Sequence, residues 1–144
     1  MKLLFDTSVL VAAMIPQHDA HERAFSWFQR IVKNTDEGAV SAHTIAELYA
    51  ELSTLPYRPV RKPPDVRELI DRNIINHMEI VSLDARDYVE IVHHMADRSL
   101  IGGSIYDALI LWSAEKAGAA RIVTLNSKDF LRILPEFANR IIVP

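Results

Sequence analysis

Three acidic residues lie where a strand gives way to a helix or where a helix begins. Asp6 follows the apolar run at residues 2–5, and Glu47 and Asp107 each lie in the first turn of a predicted helix. Unit charges ~4 Å apart repel one another by about 4 kcal/mol at an effective dielectric of ~20. A fold tolerates such crowding when a cation offsets it or when one acid stays protonated. If the three acids meet, they therefore form a candidate site for a divalent cation.

The remaining residue types indicate which cation this would be. The chain has no cysteine, and His93 and His94 are adjacent, so on a helix they point about 100° apart and cannot grip one metal together. We assign His18 and His21 to the surface. Oxygen ligands alone favour Mg²⁺ or Mn²⁺ over zinc. Mg²⁺ held by one or two carboxylates and waters typically meets substrate phosphates, which points to phosphodiester chemistry.

Each acid also has a purely structural explanation as a helix cap. Asp6 precedes a predicted helix and is a favourable cap residue. The S/T-x-x-D/E pattern of a capping box occurs twice, as Thr44 with Glu47 and as Ser104 with Asp107. Taken singly, none of the three acids indicates catalysis. Their common position at element junctions is what favours a shared site.

Short apolar strands alternate with longer amphipathic segments along the chain. The predicted strands cover residues 2–5, 38–41, 79–83, about 121–125 and 140–143. The predicted helices cover residues 9–15, 19–33, 44–52, 65–76, 84–98 and 104–118. This alternation predicts an α/β fold, a parallel sheet with helices on both faces. Ligands in such folds bind beyond the carboxyl ends of the strands, near the point where strand order reverses.

Length and composition restrict the class of protein. The 144 residues predict one domain spanning 1–144. The N-terminus does not resemble a signal peptide and no apolar run could span a bilayer, so we expect a cytoplasmic protein without a membrane partner. The net charge of −3 is unusual for a nucleic-acid binder. Contact with phosphates would have to come from a local basic patch or from a bound cation.

Residues 55–64 contain four prolines and interrupt the helical pattern. We interpret the segment as an exposed loop, because prolines at this density forbid a continuous helix. It carries Arg58, Arg61 and Lys62, with Tyr57 beside them. These residues could form an edge that binds a nucleic-acid strand through phosphate contacts and ring stacking. A solvated loop, or an arm for a protein partner, explains them equally well.

Four motifs together resemble the PIN-domain ribonucleases, and more narrowly the VapC-type toxins of bacterial and archaeal toxin–antitoxin pairs. They are Asp6-Thr-Ser, Ala46-Glu47-Leu, Tyr106-Asp107-Ala and Thr124-Leu-Asn126-Ser-Lys-Asp129-Phe. The resemblance covers essentially the whole chain in size and in motif order. Each motif is weak alone, whereas the ordered set is fairly specific.

The resemblance implies a three-layer α/β/α sandwich and Mg²⁺- or Mn²⁺-dependent cleavage of RNA. It also implies a homodimer and inhibition by a cognate antitoxin protein. By matching position, Asp6 and Asp107 would be metal ligands, and Glu47 would be the third catalytic acid. The implied reaction is metal-assisted hydrolysis of a phosphodiester bond.

The resemblance also assigns supporting residues. Thr7 or Ser8, together with Thr124, would hydrogen-bond around the acids. Asn126 takes the position of the family's fourth acid, which removes one charge and leaves open whether one metal ion binds or two. Asp129 is close enough in sequence to contribute, or it caps its own turn.

Other functions fit the same residues. A PIN enzyme that processes RNA or DNA outside a toxin pair would use the same acids, and an inactive PIN fold that only binds would be marked by Asn126. A phosphoryl-accepting receiver domain fits poorly, because no suitable acid ends a central strand. A haloacid-dehalogenase phosphatase is disfavoured, because Asp6-Thr-Ser lacks a second aspartate two residues on.

Overall fold

A parallel sheet of five strands forms the centre of the molecule. The computed structural model describes all 144 residues. In chain order, the strands are β1 Lys2–Phe5, β2 Glu37–Ser41, β3 Met78–Val81, β4 Arg121–Val123 and β5 Ile141–Ile142. Their order across the sheet is β3-β2-β1-β4-β5, and every neighbouring pair is parallel. The strand order therefore reverses between β1 and β4, as the sequence pattern led us to expect for a binding crevice.

Seven helices connect and cover the strands. They are α1 Thr7–Met14, α2 His21–Val32, α3 Ala42–Leu52, α4 Pro63–Ile70, α5 Ala85–Asp97, α6 Ser104–Ala117 and α7 Ser127–Ile133. A π-helical turn at Asp71–Ile75 continues α4, and a 3₁₀ segment at Pro135–Arg140 precedes β5. None of these helices is both long enough and apolar enough to cross a bilayer.

The sheet separates two apolar cores. Successive side chains of a strand point to opposite faces. In β1, Leu3 and Phe5 accordingly pack with α1 to α4, whereas Leu4 packs with α5, α6 and α7 on the other face. All three β1 side chains are fully buried. The predicted α/β/α sandwich with a central parallel sheet is confirmed.

With the π-helical turn counted as part of α4, the helix bounds lie within two residues of the predicted ones, except that one helix was not predicted. α4 begins at Pro63 rather than at residue 65, because Pro63 and Pro64 occupy its first two positions, where proline loses no backbone hydrogen bond. Residues 127–133 form α7, a helix that the short polar motif did not indicate. α7 matters for the site, because it follows directly from the carboxyl end of β4.

Candidate active site

A cavity of about 270 Å³ opens at the carboxyl ends of the central strands. Its lining comes from the ends of β1 and β4 and from α1, α3 and α6, with one residue from the segment before α2. It is lined by Asp6, Thr7, Ser8, Val11, His18, Glu47, Glu51, Asp107, Leu125 and Asn126. The three acids predicted to be catalytic therefore share one cavity, together with a fourth carboxylate.

Asp6 lies at the junction of β1 and α1, where the strand order reverses. Its backbone N–H donates to the Val123 carbonyl at 2.9 Å, which continues the pairing of β1 with β4. Only 3% of the residue is exposed. The hydroxyls of Ser8 and Thr124 both donate to Asp6 Oδ2, at 2.6 and 2.7 Å. Burial raises the pKa of Asp6, and these two hydrogen bonds oppose the rise.

The hydroxyls around Asp6 are themselves held by backbone amides of the segment after β4. The Leu125 N–H donates to Ser8 Oγ at 3.2 Å, and the Asn126 N–H donates to Thr124 Oγ1 at 2.9 Å. Two elements far apart in sequence thus fix one carboxylate. This is where the structure places Ser8 and Thr124, which the sequence nominated as supporting residues.

Glu47 approaches the cavity from α3 and is half-buried. Thr7 Oγ1 donates to Glu47 Oε1 at 3.2 Å and lies the same distance from Thr44 Oγ1. His43 Nε2, one turn earlier on α3, is 3.3 Å from the same Glu47 oxygen. Burial raises the pKa of Glu47, and the negative charges of Asp6 and Glu51 add to the rise.

Asp107 lies in the first turn of α6 and is half-buried. Burial raises its pKa to about 7, and the charges of Asp6, Asp129 and Glu47 contribute in that order. Around neutral pH, a proton or a cation therefore stabilises this carboxyl group. The mutual repulsion inferred from the sequence is present at this position.

Both predicted capping boxes are wrong. Ser41, not Thr44, caps α3 by accepting a hydrogen bond from the His43 N–H at 3.3 Å. Gly103 is the residue before α6, and the Ser104 hydroxyl donates instead to the Ile101 carbonyl at 2.8 Å. Each helix begins one or more residues earlier than the pattern indicated. As a result, Glu47 and Asp107 are not tied to helix caps and can face the cavity.

Asn126 and Asp129 occupy different places. Asn126 lines the cavity and lies just before the first residue of α7. Asp129 lies within α7, where Arg132 Nη2 donates to its Oδ1 at 3.2 Å, and it is not among the lining residues. Asp129 nevertheless acts on the site through its charge, which helps to raise the pKa of Asp107.

The sequence did not identify two of the polar residues that line the cavity. Glu51 is four residues after Glu47 on α3, a spacing that places both on one helix face, and this could have been read from the sequence. Burial and the charge of Asp6 raise the pKa of Glu51. His18 also lines the cavity, and its Nδ1 accepts a hydrogen bond from the Ala20 N–H at 3.0 Å. Its place depends on the loop before α2, which no sequence pattern specifies.

The four residues proposed to contact a strand or a partner lie apart from the acids. Tyr57 is half-buried and packs against the apolar core that contains α1 to α4. Arg58 and Lys62 are exposed, and Arg61 lines a separate cavity with Asp65. None of the four lines the acidic cavity.

A larger cavity, of about 730 Å³, lies beside α5, α6 and the 3₁₀ segment. Two ion pairs lie in its lining: Lys116 Nζ is 2.7 Å from Asp87 Oδ2, and Arg140 contacts Glu115. The hydrogen bond from Lys116 lowers the pKa of Asp87. Its lining has four acidic and three basic residues, whereas the acidic cavity has four acidic residues and no lysine or arginine. A bound cation would therefore offset far more charge in the smaller cavity, and we place the chemistry there.

The donor set of the acidic cavity fits a hard divalent cation. All of its carboxyl groups have raised pKa values, so a positive charge among them would be stabilising. No three acidic or histidine side chains are already grouped closely enough to hold an ion by themselves. Mg²⁺ does not require this, because it is usually held by one or two carboxylates and keeps several waters.

Comparison with known proteins gives one consistent result. A family model of the PIN domain matches residues 3–133. Ribonuclease VapC40 of Mycobacterium tuberculosis is 36% identical over 115 residues, which are 79% of this chain and 79% of that protein. Ribonuclease VapC27 of Mycobacterium tuberculosis is 28% identical over 112 residues, or 78% of this chain and 76% of that protein.

A solved structure has the same fold. The crystal structure of VapBC2 from Rickettsia felis, bound to a DNA fragment from their promoter, superposes with a TM-score of 0.66. The match covers 100% of this chain and 98% of that one, at 23% sequence identity. At this identity the likeness concerns the fold alone.

Proposed function

The chain belongs to the PIN-domain family, among the VapC ribonucleases, and from that premise we propose that it is a Mg²⁺- or Mn²⁺-dependent endoribonuclease. It hydrolyses RNA phosphodiester bonds as the toxin of a type II toxin–antitoxin pair. The observation that carries the proposal is that Asp6, Glu47 and Asp107 line one cavity at the carboxyl edge of the sheet. Burial, together with the charges of nearby acids, raises the pKa of Asp107 to about 7, which is consistent with a cation site.

Asp6 and Asp107 are the residues that would hold the ion. When bound, the ion supplies an activated water and positive charge for the phosphoryl oxygens. Ser8 and Thr124 fix the rotation of the Asp6 carboxylate by donating to one of its oxygens. That fixed rotation keeps the other oxygen facing a constant direction, which favours a defined ligand geometry.

Glu47 is the residue that would act as general base and accept a proton from the attacking water. Its contacts with Thr7 and His43 are both made by Oε1, so Oε2 remains free of these partners. Burial is the main cause that raises the pKa of Glu47, so this pKa lies nearer to neutral pH than that of an ordinary glutamate. A carboxylate with that property accepts a proton more readily at working pH.

Partners and location follow from the same family membership. We propose that a cognate antitoxin protein inhibits the enzyme, that the active form is a homodimer, and that it acts in the cytoplasm. Support for an antitoxin partner comes from the similar VapBC2 structure, which is a complex. A small antitoxin-like reading frame is expected immediately upstream of the gene, and its coexpression with the chain is expected to give a stable complex that suppresses RNA cleavage.

Cleavage of single-stranded and structured RNA in Mn²⁺, compared with EDTA, tests the activity. We expect cleavage only with metal, and we expect Asp107→Asn to abolish it while the protein remains folded. Asp97→Asn is the matched control, because Asp97 is exposed on α5 and makes no ion pair. Near wild-type cleavage by Asp107→Asn would remove Asp107 from the site. A wild-type protein that binds RNA but never cuts it would be a binding module instead.

A further inference from the structure

Tyr106 presents an aromatic ring to solvent directly beside the candidate active site. It precedes Asp107 in the first turn of α6, and 52% of the residue is exposed. The ring belongs to neither apolar core. An aromatic side chain that is left half in water gains little for folding from that exposed surface.

One side of the ring is covered by His43. The two ring centroids are 5.1 Å apart and the ring planes differ by 6°, which is parallel stacking. His43 in turn contacts Glu47 through Nε2. The stack therefore joins the beginnings of α3 and α6, the two helices that carry Glu47 and Asp107. His43 fixes the orientation of the Tyr106 ring relative to both acids.

One glycine before α6 leaves space next to the ring. A Cβ atom added at Gly103 would meet only the Tyr106 ring, at 3.9 Å. Glycine at this position therefore leaves that part of the ring without a neighbouring side chain. Gly102 is explained by its backbone, because its φ of 64° lies in the left-handed region that favours glycine.

We propose that Tyr106, backed by His43, is a stacking platform for an unpaired RNA base next to the scissile phosphate. This inference rests on the proposed function and extends it to how substrate is positioned. Unpaired bases are commonly recognised by stacking on aromatic side chains, and stacking tolerates any base because each has a π face. The platform would therefore set where the backbone enters the cavity, while leaving base identity to other contacts.

The charge of the protein favours a contact of this kind. The net charge is −3, and the cavity holds four carboxyl groups. Phosphate attraction, which supplies most non-specific affinity of nucleic-acid binders, is therefore weak here. Stacking is independent of net charge, so it can retain a base where the protein repels the backbone. A protein partner on the same ring is the competing occupant, and RNA binding separates the two.

The test uses single-stranded RNA in which one base at a time is replaced by 2-aminopurine, with binding followed by fluorescence in EDTA. Wild type is expected to quench one position strongly, and Tyr106→Phe, which keeps the ring, is expected to bind within about twofold of wild type. Tyr106→Leu should raise Kd by roughly 5- to 150-fold and abolish the quenching. Tyr88→Leu, which removes an exposed aromatic ring from α5, is the control and should change nothing.

Several results would overturn the platform. One is an equal Kd for RNA and equal quenching in wild type and Tyr106→Leu. If that variant binds RNA normally but no longer binds a protein partner, the ring serves the partner and the platform is also overturned. Another is a loss in Tyr106→Leu of the stabilisation by Mn²⁺, since the ring would then support the cavity rather than bind a base. Cleavage of RNA by wild type in Mn²⁺ is measured in a separate assay, which tests the proposed function and not the platform. Cleavage without stacking leaves the proposed function and removes the platform, whereas stacking without cleavage does the reverse.

Discussion

At the scale of single residues, the environment of Asp107 has opposite effects on the stability of the metal-free protein and on its affinity for a cation. Burial is the main cause that raises the pKa of Asp107 to about 7, and the charges of Asp6, Asp129 and Glu47 add to the rise. A carboxyl group in that position destabilises the folded protein when it ionises without a partner. The same group is well placed to bind a cation. Stability and metal affinity are therefore coupled through one side chain.

Asp107→Asn should make the metal-free protein more stable and the metal-loaded protein less so. Removing the ionisable group relieves repulsion, and each kcal/mol recovered raises the melting temperature by about 2–4 °C at this chain length. Added Mn²⁺ should raise the melting temperature of wild type by mass action and have little effect on the variant. Thermal unfolding of both proteins, with and without Mn²⁺, measures this. An equal Mn²⁺ response in the two would contradict the assignment.

The stability of the metal-free protein should fall as pH rises toward neutrality. The pKa of Asp107 is raised from 3.8 to about 7 in the folded state. Between these values the folded protein binds a proton that the unfolded chain does not, so the free energy of unfolding decreases with increasing pH and levels off above about 7. The raised pKa values of Asp6, Glu47 and Glu51 act in the same direction.

Denaturant titrations of the metal-free protein between pH 5 and pH 8, set against Asp107→Asn, measure this dependence. The variant should show a flatter profile, because it lacks one of the titrating groups. Mn²⁺ affinity of wild type should change the opposite way and increase through about pH 7, since protons compete with the ion for Asp107. If the wild-type profile runs parallel to that of the variant, Asp107 does not change its protonation state between pH 5 and pH 8, which would contradict the raised pKa.

At the scale of secondary-structure elements, the site depends on the junction of β1 with β4. Asp6 directly follows β1, and Thr124 directly follows β4. The Thr124 hydroxyl is buried and connects the two, because it donates to Asp6 Oδ2 and accepts from the Asn126 N–H. One side chain thus supports both a buried carboxylate and the entry into α7.

Thr124→Val keeps the shape of the side chain and removes both hydrogen bonds. Loss of a hydrogen bond to a charged group costs about 1.5–3 kcal/mol. We expect a lower free energy of unfolding at pH 7 and weaker Mn²⁺ binding, because the pKa of Asp6 would rise further. Thr35→Val is the control, since Thr35 is exposed and its side chain makes no hydrogen bond. Similar losses in both variants would mean that Thr124 acts only through packing.

The sequence predicted strands and helices correctly where burial gives the apolar residues a regular spacing. Runs such as Leu3 to Phe5 identified the strands, and the alternation of strands with helices predicted the sheet and the edge at which the acids lie. It was misleading at helix starts, because Thr44 and Ser104 match a capping pattern but make other contacts. Thr44 Oγ1 lies 3.2 Å from Thr7 Oγ1, and the Ser104 hydroxyl donates to the Ile101 carbonyl. α7 was missed, since seven residues carry too little periodicity to distinguish a helix from a turn.

The same reasoning explains which parts of the site could be inferred. Asp6, Glu47 and Asp107 were found because acids at element junctions are visible in sequence. Glu51 was visible in principle from its spacing to Glu47. His18 was not, because its position is set by a loop whose course depends on packing between α1 and α2. The stack of Tyr106 on His43 was equally hidden, since it joins two helices that are distant in the chain.

At the scale of the whole molecule, an apolar core packs against each face of the sheet, and polar residues occupy the edge where the strands have their carboxyl ends. The cavity at that edge concentrates carboxyl groups in a protein that is already acidic, with a net charge of −3. Such a surface attracts RNA phosphates only weakly, and a bound cation increases that attraction. A divalent ion therefore has two tasks in the proposed enzyme, which are to stabilise the crowded acids and to hold the scissile phosphate at the cavity.

A crystal structure of the protein grown with Mn²⁺, with the ion located by its anomalous scattering, tests this most directly. We predict a peak in the acidic cavity at about 2 Å from carboxylate oxygens of both Asp6 and Asp107, with waters completing the coordination. The same experiment on Asp107→Asn should give a weak peak or none. A saturating Mn²⁺ concentration that leaves the cavity without a peak, or a peak bound only elsewhere, would contradict the claim that these acids share a metal ion.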